Sequence, residues 1–123
     1  MGKYSFPKDE RLKKKEDFKR ILREGKVYAL PPLIVYIRKG AEKRKIGISV
    51  NKKVGSAVLR NRIKRLIREV YRLHRPYLPE DIEMFVIVRR SEKPIDNYWE
   101  MERILRSIWK NAKVLKDDEK NSH

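Results

Sequence analysis

The chain of 123 residues contains no cysteine, which excludes disulfide frameworks, thiolate zinc sites and cysteine nucleophiles and fits a reducing compartment. Histidine occurs only as His74, beside Pro76, and as the terminal His123, so a histidine zinc cluster is not expected. No apolar run reaches the roughly 18 to 20 residues that cross a bilayer, and the first residues lack the apolar stretch of a secretory signal. Gly2 invites myristoylation, but Phe6 occupies the position that needs Ser or Thr. The expectation is a cytoplasmic protein without a membrane partner. No glycine-rich phosphate loop appears. The nearest pair of carboxylates, Asp81 and Glu83, has a spacing that puts both on one strand face, where alternation around Ile82 explains them as well as metal binding does. Neither a metal site nor a catalytic residue is expected in the chain itself.

Acidic residues are scarce in one region only. Thirty-three Lys and Arg against 17 Asp and Glu leave a net charge of +16. Residues 1–75 hold 24 basic and 7 acidic side chains, whereas 76–123 hold 9 and 10, so the whole surplus lies upstream. A field of that sign draws polyanions and repels a second copy. With hydrophobic residues at 40%, the length suits one domain over 1–123, ordered over about 8–115 with short polar tails.

Periodicity orders the elements. Phe18, Ile21 and Leu22 recur at helical spacing within 15–24, and Gly25 suits a left-handed stop. Strands are expected at 27–30 and 33–38, separated by Pro31-Pro32, and at 45–50, where Ile46, Ile48 and Val50 face one way and Gly47 and Ser49 the other. A long helix runs from the cap Ser56 to Arg75, before Pro76. A strand at 82–89 follows. A last helix starts near Asn97, which with Glu100 resembles a capping box, and carries Met101, Leu105, Ile108, Ala112 and Leu115 on one stripe. Trp99 and Trp109 are expected to pack on or cap the core edge. The fold class is α+β, a two-layer α/β sandwich in the order α-β-β-β-α-β-α with a small mixed sheet.

In the long helix, 100° per residue places Leu59, Ile63, Leu66, Val70 and Leu73 in one arc. Arg60, Lys64, Arg65, Arg68 and Arg72 fall opposite, Asn61 lies among them, and Arg62 lies near their border. Glu69 is the only acid between Ser56 and Arg75. A solvated face normally mixes signs to form i, i+4 pairs, and like-charge crowding costs stability. Phosphates, which guanidinium groups bind bidentately, are the natural complement. The alternatives are a ribosomal RNA-binding structural protein and a DNA major-groove reader; the crowded basic arc suits backbone binding better than base reading.

The run from Asn51-Lys52-Lys53-Val54-Gly55-Ser56 through Arg60-Asn61-Arg62-Ile63-Lys64-Arg65 to Arg68-Glu69 resembles the signature of the bacterial ribonuclease P protein component. The likeness extends from Arg11-Leu12-Lys13-Lys14 and Glu16-Asp17-Phe18 to the last helix. It implies a small protein, without chemistry of its own, bound to one catalytic RNA that removes the 5′ leader of precursor tRNA with RNA-bound Mg²⁺.

 It implies one protein per RNA, and a left-handed crossover where the long helix joins strands three and four. By that likeness Lys52, Lys53, Arg60, Asn61, Arg62, Lys64, Arg65 and Arg68 contact the catalytic RNA or lie near the cleavage region. A cleft between the first helix and the sheet holds the leader, with Phe18 and Tyr36 as platforms and Leu22 at a position often aromatic. Arg38 shares strand parity with Tyr36, and Ser49, with Gly47, leaves room beside it.

Overall fold

The computed structural model describes residues 8–116. The tails at 1–7 and 117–123, His123 among them, lie outside the described residues. Helix α1 (Lys15–Glu24) is followed by strands β1 (Lys26–Leu30), β2 (Leu33–Lys39) and β3 (Lys45–Val50), helix α2 (Ala57–His74), strand β4 (Ile82–Val88) and helix α3 (Tyr98–Asn111). The order is the one that periodicity indicates, with ends moved by a residue or two. The sheet runs β1-β2-β4-β3, antiparallel except for the β3–β4 pair, which α2 connects.

Alternation gives the sheet two unlike faces. Leu33, Val35, Ile37, Ile46, Val50, Ile82, Met84, Val86 and Val88 are buried under α2 and α3 in one continuous cluster. The other face carries Ala29, Ile34, Tyr36, Phe85, Ile87 and Ser49, all half-buried or exposed, and among the described residues α1 and Leu12 before it lie across part of it. One sheet therefore supplies a core on one side and an open floor on the other.

Local chemistry departs from expectation at five places. Gly25 is extended (φ −80°, ψ 158°) rather than left-handed. Glycine is needed there because a Cβ would sit 2.6 Å from the Ile21 carbonyl oxygen. In α2 the buried arc is Ile63, Ile67, Val70, Tyr71 and His74, while Leu73 is exposed. The arc is rotated because Tyr71 turns inward to donate its hydroxyl to Glu10, which also accepts from Arg75. Burial, and then the Glu10 hydrogen bond and charge, push the Tyr71 phenol well above its ordinary value. Asn97 caps α3 by accepting from the Glu100 amide, but the Glu100 carboxylate pairs with Arg103 instead of closing a capping box. Trp109 is fully buried, whereas Trp99 is 73% exposed and covers no core edge. Finally, Lys116 is tied back by its amide to the Tyr77 carbonyl, so the chain is held to that point.

Candidate nucleic-acid interface

Two surfaces meet around the start of α2. The first is the outward side of α2 itself. Ser56 caps the helix by accepting from the Leu59 amide, and Asn51 caps the short turn Lys52–Val54 before it, which leaves Lys52 and Lys53 exposed. Asn61, Arg62 and Arg65 are exposed, and Arg60, Lys64 and Arg68 are half-buried. Arg60 donates to the Gly55 carbonyl (3.1 Å) and Arg62 to the Asp96 carbonyl (3.0 Å). Burial, and then the like charge of Arg11, pull the Arg68 guanidinium down from its ordinary value.

Among the described residues no ion pair joins Lys52, Lys53, Arg60, Arg62, Lys64 or Arg65 to a carboxylate. The acids are engaged elsewhere: Glu10 with Arg75 and Arg44, Asp17 with Arg20, Glu24 and Glu83 with Arg38, and Glu69 with Arg72. These cations thus lack a carboxylate partner among the described residues, whereas Arg20, Arg38, Arg44 and Arg75 each have one.

The second surface is the open sheet face. Val27, Tyr36, Phe85 and Gly47 are successive cross-strand neighbours, and Ala29, Ile34, Ile87 and Ser49 form the next row. Helix α1 stands over the Gly47 end, where the Phe18 ring meets Phe85 edge-on with centroids 4.9 Å apart. Gly47 makes that approach possible, since a Cβ there would lie 2.8 Å from the Phe18 ring and 3.2 Å from Leu12. Gly47→Val should therefore lower stability by about 1 to 3 kcal/mol through overpacking, read as an earlier denaturant midpoint. Leu22, one turn beyond Phe18, is 45% exposed.

One end of this cleft is closed by charge. Glu83, buried beneath α1, accepts from Arg20 and from Arg38 (3.3 Å), and Arg20 also reaches Asp17 (2.9 Å). Asp81 does not join it: the residue precedes β4 and is exposed, so the pair spaced for one strand face is not assembled. Burial alone would raise the Asp17 carboxyl, but the Arg20 hydrogen bond with the charges of Lys45 and Arg20 outweighs it and sets it below its ordinary value. A depressed folded-state value means that Asp17 adds stability above its unfolded value, near pH 4, and loses it as pH falls through the lower folded one. Asp17→Asn should accordingly cost stability at neutral pH and little at pH 2.5 in thermal melts.

The other end of the cleft opens into a groove of about 660 Å³ lined by Ala29, Pro31, Pro32, Ile34, Asn51, Lys53, Arg89 and Arg90. Through Lys53 it joins the cleft to the start of α2.

The family model described as Ribonuclease P matches residues 6–113. The chain belongs to the bacterial ribonuclease P protein family. It is 67% identical to the ribonuclease P protein component of Dictyoglomus turgidum over 119 residues, which is 94% of this chain and 99% of that one. The RNase P protein of Staphylococcus aureus has the same fold, with a TM-score of 0.77 at 36% identity over 87% of this chain and 98% of that one. That of Thermotoga maritima gives 0.69 at 30% identity over 82% and 96%. As a ribonuclease P protein the chain is a subunit of an endoribonuclease holoenzyme of tRNA processing, and membership implies association with ribonuclease P RNA. The ribosomal and DNA-reading alternatives fall away.

Within the ribonuclease P frame, the structure brings Phe18, Tyr36, Ser49 and Leu22 around one cleft and sets Arg38 in the ion network at its closed end. Sequence reasoning missed Phe85, and with it Ile87, Arg89 and Arg90. Alternation along β4 already put Glu83, Phe85 and Ile87 on one face; which face that was depends on the β2–β4 register, which no local pattern reveals. No helix is long and apolar enough to cross a membrane among the described residues.

Proposed function

We propose that this subunit, a single RNA-binding domain over residues 1–123, binds the catalytic RNA with the outward face of α2 and the Lys52–Val54 turn. It holds the 5′ leader of precursor tRNA on the open sheet face, with one protein per RNA in the cytoplasm. The observation that carries this reading is the group Arg60, Arg62, Lys64 and Arg65 on α2, without a carboxylate partner among the described residues, beside a half-buried aromatic cleft that such a group alone would not require. Lys52, Lys53, Arg60, Asn61, Arg62, Lys64, Arg65 and Arg68 face the catalytic RNA, Arg60 also bracing the loop before α2 through Gly55. Phe18, Tyr36 and Phe85 offer faces to leader bases, Leu22 and Ser49 border them, and Arg38 supplies a cation at the closed end.

The family's holoenzyme generally uses Mg²⁺. This chain's residues do not fit such an ion near the cleft, because Asp17, Glu24 and Glu83 are already paired with guanidinium groups. Metal therefore belongs to the RNA in this proposal. The protein's contribution is to offset repulsion between two polyanions and to fix the leader, which raises substrate affinity and removes orientational freedom at the scissile bond. Reconstitution with the catalytic RNA and a precursor tRNA at low Mg²⁺ tests it: cleavage should require the pair. Equal cleavage by the RNA alone would overturn the proposal.

A further inference from the structure

Trp99 is the most exposed aromatic side chain among the described residues, at 73%, whereas Trp109, ten residues on, is fully buried. An indole left in water gains nothing from folding, and its area is large. The ring is nonetheless oriented: Tyr98 stands edge-on to it with centroids 5.1 Å apart and an interplanar angle of 87°.

Its surroundings carry both signs, Asp96 and Glu100 beside it in the chain and Arg62 and Arg103 on the basic side. Arg62 of α2 reaches across to the Asp96 carbonyl, three residues before Trp99, which places the border of the α2 basic face beside the first turn of α3. Arg103 lies one turn below Trp99 on the same stripe and is exposed, paired with Glu100. Val58, 80% exposed, is one turn before Arg62 on α2.

We propose that Trp99 stacks on an unpaired nucleobase of the RNA that α2 binds, with Arg62 and Arg103 on the flanking phosphates. This rests on the reading of α2 as an RNA-binding face and extends that face onto α3. Charge complementarity favours RNA over a second copy of the chain, because the basic α2 face that Arg62 borders, like the net +16, repels a like surface. An indole face accepts any base, and guanidinium groups beside it hold the backbone.

The two tryptophans make the test direct, since acrylamide reaches exposed Trp99 and not buried Trp109. With the protein saturated by catalytic RNA, quenching of the accessible emission should fall to the level of the buried residue. Trp99→Ala should weaken RNA affinity about tenfold, and Trp99→Phe by less than about threefold. Undiminished acrylamide access in the saturated complex, or unchanged affinity of Trp99→Ala, would overturn the proposal while leaving the α2 face intact. Protection that grows with protein concentration without RNA would overturn it in favour of self-association. Failure of the unsubstituted protein to bind the RNA at all would instead sink the reading of α2.

Discussion

Replacing Arg62, Lys64 and Arg65 together by alanine is expected to weaken binding to the catalytic RNA by about 10² to 10³-fold while leaving the melting temperature unchanged or raised. These side chains are exposed or half-buried and have no carboxylate partner among the described residues, so folding recovers little from their charge. Removing like charges one turn apart should relieve repulsion along the helix. Binding has more to lose: a hydrogen bond to a charged group contributes about 1.5 to 3 kcal/mol, and three partly solvated contacts to phosphate combine to about 3 to 4 kcal/mol. The salt dependence separates this from a folding defect. Each lost phosphate contact lowers the slope of log affinity against log salt by about 0.7 to 0.9, so the triple variant should lose about 2 to 3 units of slope. A variant that melts earlier with an unchanged slope would show these cations to be structural.

The contrast between α2 and the cleft explains what was legible in the sequence. A face with one acid in twenty residues is a local pattern, and it maps directly onto the helix surface; Glu69 pairs with Arg72, three residues along. The order of elements was equally local, because Pro31-Pro32, Gly40, Pro76 and the caps Ser56 and Asn97 punctuate it. Where sequence reading failed, the cause was tertiary. Tyr71 fell outside the expected apolar arc because its partner Glu10 is 61 residues away. Asp81 and Glu83 looked alike until α1 covered one and left the other in water. Gly25 reads as a turn glycine, yet its use is to let α1 and β2 close on the same point, with Ile21 and Ile37 carbonyl oxygens both near its missing Cβ. Trp99 resembled core because a tryptophan on an amphipathic helix usually is.

Tyr36→Ala combined with Phe85→Leu is expected to weaken precursor tRNA binding by about 30- to 1000-fold and to leave mature tRNA binding unchanged. The two residues are direct cross-strand partners, so their rings form neighbouring parts of one floor, and stacking contributes about 1 to 3 kcal/mol per base. Leucine keeps much of the volume beside Phe18, which confines the stability loss to the edge contact between the rings, about 0.5 to 1.5 kcal/mol. If the leader lies on this face as proposed, away from the reacting phosphate, the loss should appear in substrate affinity, with single-turnover cleavage at saturating precursor nearly unchanged. Trimming the leader to one nucleotide should erase the difference between variant and unsubstituted protein, since no base then reaches the floor. Tyr36→Phe alone, which keeps the ring, should retain most of the affinity. If the double variant instead loses affinity equally for precursor and mature tRNA, the open face of the sheet contacts the tRNA body, and the groove from Ala29 to Arg90 leads from that contact rather than from the leader.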